Sequence, residues 1–220
     1  MFKKTLARSP EAARIVPFAV FLALTVCQGQ FGPASAEWFY LAKTIAGAWL
    51  ICLVRPYVTE MRWAISWEAI VAGVIAFIAW IGLDRFYPKI FHAGATGDPG
   101  AILGADSPLT TLFIIVHIVG MTLVVPPIEE IFYRSFVYRY IAAKEFLTVP
   151  LNRFLPLPFF ATAIIFGASH NEWLAGILCG ALFQWLVLRK NRLGDAMTAH
   201  AITNLLLGLW IVWRHDWHFW

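Results

Sequence analysis

The sequence predicts an all-α protein, a polytopic transmembrane helix bundle of seven to eight helices enclosing a polar intramembrane cavity. First, 60% of its 220 residues are hydrophobic and only 14% are charged, against about 45–50% and about 25% in soluble domains. Second, the apolar residues gather in runs near the length that crosses a bilayer. Third, ionisable side chains recur inside several runs, although burying them in lipid is costly. We therefore expect one integral membrane domain over residues 1–220.

Eight apolar runs define the expected helices. They lie at about 15–31, 38–54, 67–83, 109–127, 128–142, 156–170, 173–188 and 196–213. Pro126 and Pro127 have no backbone donor, so they interrupt the preceding hydrogen-bond ladder. If 109–138 is one long element bent at these prolines, the chain crosses the membrane seven times. Eight helical segments with a broken or tilted pair fit equally well.

The charged residues predict an orientation. Eight basic residues fall in three connecting segments: Arg55, Arg62, Arg139, Lys144, Arg153, Arg189, Lys190 and Arg192. The positive-inside rule places these segments and the N-terminus, with Lys3 and Lys4, in the cytoplasm, and the Gly- and Pro-rich segment 84–108 outside. The net charge of +4 is thereby attributed to loops, and no nucleic-acid partner is expected. Ala34-Ser35-Ala36 resembles a signal-peptide cleavage site, but we favour an uncleaved first helix because another apolar run follows at once.

The first polar cluster is Glu129-Glu130-Ile131-Phe132-Tyr133-Arg134. Residues four apart share a helix face, so Glu130 and Arg134 can pair. Glu129 lies about 100° away around the helix and is free to face a cavity. The alternative is a group of charges that reach water at a membrane edge. Two adjacent acids with a basic partner in so apolar a stretch make that alternative weaker.

Two further clusters follow along the chain. Phe166 and His170 are four apart, with small residues between them that permit close helix contact. His200 and Asn204 are also four apart and can point into one cavity. Taken alone, a histidine such as His170 is more often interfacial than catalytic, and Asn171 and Glu172, which follow it, support the interfacial interpretation. Taken alone, His200 and Asn204 are equally typical of a polar clamp between helices.

Together the clusters supply the groups needed to activate a water molecule. A carboxylate can take a proton from water, and imidazole or amide donors can stabilise the resulting oxyanion. Glu129, His170 and His200 could instead bind zinc, because two histidines and a glutamate with an open position form a catalytic zinc pattern. The absence of an HExxH motif excludes the geometry of soluble zincins. His117 does not share the helix face of Glu129, and we interpret it as structural.

These motifs resemble the CPBP family, the CAAX-protease and bacteriocin-processing group of intramembrane proteases. The family pattern is EExxxR, then FxxxH, then HxxxN or HxxxD, and all three occur here in order within 120–210. Residues 176–180 and 189–192 also look like the family. Residues 172–220 resemble, more loosely, the bacterial subgroup associated with exosortase (PEP-CTERM) sorting. We expect 120–210 to form the catalytic core.

The resemblance implies a CAAX-protease-like intramembrane endopeptidase of the glutamate type or the metallo type. In the implied roles, Glu129 activates water with His170 as its partner, His200 and Asn204 form the oxyanion site, and Glu130, Arg134 and Phe166 support them. We lean towards a metal-free reaction, with zinc as the possible cofactor. The expected partners are membrane lipid, a membrane-associated polypeptide substrate and exosortase-system proteins, at a bacterial inner membrane.

Two other functions compete with this one, and the first is a non-catalytic peptide- or lipid-binding or immunity protein on the same scaffold. The second is a transporter, which the lack of an inverted repeat disfavours. Catalysis requires Glu129, His170 and His200 within a few ångströms of one another, yet straight spans do not place them at one depth. We therefore expect tilted, broken or re-entrant segments around the proline pair and at 154–172.

Overall fold

A computed structural model describes residues 6–89 and 97–220, and within these residues the chain is helical with no strand. Lys3, Lys4 and the middle of the segment 84–108 lie outside the described residues. The helices, with Pro108–Ala142 taken as one, are α1 (Pro10–Val26), α2 (Ser35–Val54), α3 (Trp67–Leu83), α4 (Pro99–Leu103), α5 (Pro108–Ala142), α6 (Pro156–Ala168), α7 (Trp173–Lys190) and α8 (Gly194–Arg214). The all-α prediction is confirmed.

Five of these helices are long and apolar enough to cross a membrane. They are α2, α3 with the short turn that extends it to Phe86, α5, α7 and α8. Much of their outer surface consists of exposed large apolar side chains, such as Ile75 and Ile78 on α3, which a bilayer would cover. α6 has 13 residues, fewer than the roughly 20 that a straight crossing needs.

Local sequence signals set several helix starts. The Ser9 hydroxyl accepts a hydrogen bond from the backbone of Ala12 at the start of α1. Ser66 does the same for Ala69 at the start of α3, and Ser107 caps α5. A serine in this position satisfies a backbone donor that has no partner within the helix.

α5 is the longest element and departs from α-helical geometry in two places. Its 35 residues extend roughly 50 Å at 1.5 Å per residue. The turns widen to π-helical geometry at Gly120–Val124 and again at Ile131–Val137. The first widened turn directly precedes Pro126 and Pro127. The predicted interruption is therefore in the right place, but the helix absorbs it as a wide turn and continues.

Glycines allow close packing of the helices that carry the polar clusters. α6 packs on α7 and α3 packs on α8. A Cβ atom added at Gly167 would lie 2.5 Å from the Trp173 carbonyl oxygen, and one at Gly73 would lie 2.6 Å from the Ala199 carbonyl oxygen. Both contacts require glycine. The expected close helix approach beside Phe166 is present.

The three basic segments meet at one end of the bundle. Arg62, Leu151 and Arg192, one from each segment, line a common cavity. At the opposite end, Trp173 Nε1 donates to the Pro88 carbonyl oxygen at 2.9 Å. This arrangement is the one that a single orientation in the membrane requires.

A buried ionic network at the basic end joins α1, the α2–α3 loop and α5. The Glu60 carboxylate accepts hydrogen bonds from Arg14 at 2.7 Å, from Arg139 at 2.8 Å and from the Ser135 hydroxyl. The guanidinium groups of both arginines lie 5.3 Å from the centre of the Phe146 ring. Burial alone would raise the pKa of Glu60, but the charge of Arg14 and the hydrogen bond from Ser135 lower it below its usual value. No pattern in the sequence predicts this network, because its members lie on separate elements.

Replacing Glu60 by glutamine should destabilise the fold by about 3–5 kcal/mol, because it leaves two buried arginines without a counter-charge. The pKa of Glu60 is lower in the folded protein than in the unfolded chain. The stability that ionised Glu60 contributes is therefore present above the usual carboxyl pKa and is lost as pH falls through the folded-state pKa. Thermal unfolding in detergent, measured at neutral and acidic pH, tests this. The Glu60→Gln variant should show a shallower loss of stability on acidification than wild type. Glu145→Gln, at an exposed position, is the control, and identical pH profiles for wild type and Glu60→Gln would contradict the prediction.

Candidate active site

The site is built around Glu130, which is fully buried on α5. Its Oε1 atom lies 2.9 Å from His200 Nδ1, and its Oε2 atom lies 3.2 Å from Arg134 Nε. The second contact is an ion pair whose angle does not meet hydrogen-bond geometry. The predicted pairing of Glu130 with Arg134 is therefore present. The carboxylate also fixes a histidine from α8, which spacing along one helix could not reveal.

Arg134 is held in place by two neighbouring helices, α6 and α7. Its side chain is fully buried, and Nη2 donates to the Gly180 carbonyl oxygen of α7 at 3.3 Å. Its guanidinium carbon lies 4.3 Å from the centre of the Phe166 ring on α6, a favourable cation–π arrangement. The same ring lies 4.7 Å from the His170 ring and 6.0 Å from the His200 ring. Phe166 therefore contacts the arginine and both histidines, in keeping with its expected supporting role.

Glu129 is the carboxylate without a hydrogen-bond partner. Its side chain is 12% exposed, and Oε2 lies 4.0 Å from His200 Nε2. That Oε2 atom is buried and accepts no hydrogen bond from any residue that the structure describes. The two nitrogens of His200 thus face two different carboxylates. An acid left free beside an oriented imidazole is a suitable base.

The structure does not pair His170 with Glu129, the partner expected for it. Within residues 6–89 and 97–220, no hydrogen bond or ion pair joins the two side chains. His170 lies just beyond the end of α6, and its Nδ1 atom lies 2.7 Å from the Phe166 carbonyl oxygen. Nδ1 therefore carries the hydrogen of the neutral ring, and Nε2 is left for contact with a ligand. The imidazole nearest Glu129 is that of His200.

Asn204 satisfies a carbonyl group that Pro126 leaves without a donor. In the first widened turn of α5, the Val125 amide bonds to the Gly120 carbonyl. By the same spacing of five residues, the Met121 carbonyl would accept from residue 126, which is a proline and has no backbone N–H. Asn204 Nδ2 donates to the Met121 carbonyl oxygen instead, at 2.7 Å. This is the interhelical clamp that was one of the two interpretations of the HxxxN motif, and the second amide hydrogen is still available for the oxyanion role.

The predicted polar intramembrane cavity has a volume of about 180 Å³. His170, His200 and Asn204 line it, so three of the four predicted catalytic residues share one space. The other lining residues are Trp80, Met121, Val125, Phe166, Glu172, Cys179, Phe183, Thr203, Leu207 and Phe219. Glu129 lies beside this group, next to His200, and is not among the lining residues.

Glu172 is a further member of the cavity that sequence analysis assigned to the membrane interface. It is 7% exposed and lines the same space as His170. Burial raises the pKa of Glu172, and the nearby charge of Lys89 opposes that rise. Its position two residues after His170 was the only signal for this placement, and polar loop residues commonly occupy such a position.

The donor geometry does not fit the zinc set of Glu129, His170 and His200. Among the described residues, no three side chains of His, Cys, Asp or Glu come together as a metal-ligand group. His200 Nδ1 is paired with Glu130, and His170 Nδ1 faces a backbone carbonyl, so only Nε2 of each ring could face a ligand.

Replacing Asn204 by leucine should destabilise the bundle by about 1–3 kcal/mol, because the buried Met121 carbonyl would lose its donor. Thermal unfolding in detergent measures the effect. Asn152→Leu, at an exposed position, is the matched control. If the two variants unfold at the same temperature, the Asn204 contact does not stabilise the widened turn.

Comparison with protein families identifies the same region of the chain. Residues 111–206 match the model described as "Rce1-like: Type II CAAX prenyl endopeptidase Rce1-like", and this range contains all three motifs. No curated protein matched the chain, and no solved structure did so. The three motifs and the family match together place residues 111–206 in the CPBP family, the group of the type II CAAX prenyl endopeptidases.

Proposed function

We propose that the protein is an intramembrane endopeptidase that cleaves a membrane-associated polypeptide with water activated by Glu129. The observation that carries the proposal is the free Glu129 carboxylate, 4.0 Å from a histidine nitrogen. The opposite nitrogen of that histidine is fixed by the buried pair of Glu130 and Arg134. The protease-family match supports an endopeptidase in general.

In the proposed first step, Glu129 takes a proton from a water molecule as the water oxygen bonds to the peptide carbonyl carbon. The carbonyl oxygen becomes an oxyanion. When His200 carries hydrogen on both ring nitrogens, Nδ1 donates to Glu130 and Nε2 is free to donate to the oxyanion. The second Asn204 amide hydrogen is a further donor at the cavity, whereas His170 Nε2 carries no hydrogen in the neutral ring and is an acceptor there. Fixed donors of this kind stabilise developing charge without reorganisation.

In the second step, the tetrahedral intermediate collapses and the carbon–nitrogen bond breaks. The proton held by Glu129 passes to the departing amine nitrogen, so the products are a carboxylic acid and an amine. Glu130 and Arg134 do not exchange protons in this scheme. Their role is to hold the His200 ring at a fixed orientation, because catalysis depends on small displacements.

A groove of about 720 Å³ provides a route for the substrate from the basic end of the bundle. Arg55, Arg62 and Trp63 line its outer part, and it extends inward to Pro127 and Met197. Pro127 is two residues before Glu129, and Met197 is about one turn before His200. We propose that the polypeptide enters through this groove.

The remaining parts of the proposal concern the cellular setting. By the positive-inside rule, the N-terminus and the end with the basic segments lie in the cytoplasm of a bacterial inner membrane. The resemblance of 172–220 to the exosortase-associated subgroup suggests a role in processing exported proteins, with exosortase-system proteins as partners. The catalytic core is assigned to 120–210 within a single domain over 1–220.

Replacement of Glu129 by glutamine should lower cleavage by about 10²–10⁴-fold, the usual contribution of a general base. Cleavage of a peptide library by detergent-purified protein measures this loss, with metal content determined on the same samples. The variant should bind the selected substrate as well as wild type does, because glutamine keeps the shape of the side chain. Glu145→Gln is the control and should cleave at the wild-type rate.

Two results would overturn parts of this proposal. Wild-type cleavage by Glu129→Gln would remove Glu129 as the base and favour a non-catalytic binding protein on this scaffold. Stoichiometric zinc, with activity lost on chelation, would replace the metal-free scheme by a metal-dependent one.

A further inference from the structure

One carboxylate of the catalytic cavity, that of Glu172, has no part in the proposed reaction. Among the described residues that line this cavity, it is the one Asp, Glu, Lys or Arg. Glu172 is 7% exposed and directly precedes Trp173, the first residue of α7. The positive end of a helix dipole favours a negative charge at that position. The cavity therefore has a fixed acidic group in addition to the catalytic residues.

No cation in residues 6–89 and 97–220 forms an ion pair with Glu172. The charge of Lys89 acts on it, but the Lys89 ammonium is ion-paired with the Asp84 carboxylate at 2.6 Å. Asn171 Nδ2 lies 3.5 Å from Glu172 Oε1, at the limit of a hydrogen bond. A buried carboxylate is costly unless a cation pairs with it. A ligand that carries a positive charge would supply the missing partner.

The size of the cavity limits what can enter it. Its volume is about 180 Å³, and a cavity of about 150 Å³ can hold one benzene molecule. The space therefore suits one side chain of a substrate rather than a length of polypeptide. His200 and Asn204, the proposed oxyanion donors, line the same space. A side chain bound there would belong to a residue next to the scissile bond.

The walls of the cavity suit an apolar stem that ends in a charge. Four aromatic side chains line it, those of Trp80, Phe166, Phe183 and Phe219. A lysine side chain has a flexible four-carbon stem and a compact ammonium at its end. The stem can pack on aromatic surface while the ammonium reaches a polar group. A wholly apolar side chain could also fill the space, but it would leave the buried carboxylate without a counter-charge.

The position of Glu172 fits a side chain that arrives from the proposed entry groove. Val125 lines the catalytic cavity and Pro127 lines the groove, so the two spaces approach the same part of α5. Trp173, the neighbour of Glu172, contacts Pro88 at the end opposite the basic segments. Glu172 therefore lies on the side of the cavity away from the entry groove.

We propose that the catalytic cavity is a specificity pocket for a lysine side chain next to the scissile bond. The lysine ammonium donates hydrogen bonds to the Glu172 carboxylate, and its stem packs on the aromatic walls. The inference rests on the proposed function, because it names the class of polypeptide that the protease selects. Glu172 is a specificity residue in this proposal and exchanges no proton in the bond-breaking steps.

Cleavage of matched peptides by the full chain in detergent tests the proposal. A peptide selected from the library is made with lysine, methionine or glutamate next to the scissile bond, on each side in turn. Wild type should show kcat/KM at least about tenfold higher for lysine than for methionine, an unbranched side chain without charge, and should cleave the glutamate peptide least. Glu172→Gln should lower the ratio of lysine to methionine by about tenfold, because a hydrogen bond to a charged group is lost. Glu145→Gln is the control and should keep the wild-type ratio.

Binding of the same peptides to Glu129→Gln measures the selectivity of the pocket without turnover. The charge of Glu129 is absent in this variant, so a lysine preference there would come from Glu172. That preference, found with a wild type that cleaves no peptide, would support the pocket and remove the protease function. Wild-type cleavage with no lysine preference would overturn the pocket and leave the protease function in place.

The same measurements decide the case in which Glu172→Gln does not fold. The wild-type ratio of lysine to methionine and the binding preference of Glu129→Gln then stand as the test. Equal affinity of Glu129→Gln for the lysine and methionine peptides would overturn the pocket, as would an unchanged cleavage ratio in folded Glu172→Gln.

Discussion

The structure depends on two buried contacts between ionisable side chains, Arg134 with Glu130 and Glu130 with His200. The contacts join α5 to α8, and Arg134 also contacts the Phe166 ring on α6 and the Gly180 carbonyl on α7. Each charged group would be costly in an apolar interior without its neighbour. The helices therefore have to assemble around these three side chains in one arrangement. The cavity, the free carboxylate beside it and the orientation of the imidazole all follow from that arrangement.

The proline pair has a consequence for the site that is chemical as well as geometric. Two missing backbone donors in the middle of a membrane helix leave carbonyl oxygens that need partners. The widened turn at Gly120–Val124 absorbs part of the mismatch, and Asn204 satisfies the Met121 carbonyl. The same asparagine lines the cavity. A disruption in α5 thereby fixes a polar side chain of α8 where a reacting group can use it.

Features that depend on residues near in sequence could be predicted. The apolar runs correspond to the observed helices. The spacing of Glu130 and Arg134 predicted their ion pair, and the small residue Gly167 predicted a close helix contact. Each of these follows from helical periodicity within one or two elements.

Features that depend on the packing of distant elements could not be predicted in this way. Spacing shows which side chains share a helix face, but not how helices are rotated against one another. Spacing therefore could not show that His200 Nε2 lies 4.0 Å from Glu129 Oε2. Single hydrogen bonds in the network around Glu60 join residues up to 121 positions apart, and the burial of Glu172 depends on how the α6–α7 turn folds back over the cavity.

The length of α5 links the site to the thickness of the surrounding bilayer. Roughly 50 Å of helix exceeds a hydrocarbon core of about 30 Å, so the helix must tilt or extend into the headgroup layer. Glu129 and Glu130 lie on this helix, and Glu60 fixes its basic end through Arg139. In a thinner or thicker membrane, the difference between helix length and bilayer thickness therefore acts on the helix that carries Glu129 and Glu130. Lipid chain length becomes a physical variable of the site, alongside pH and substrate concentration.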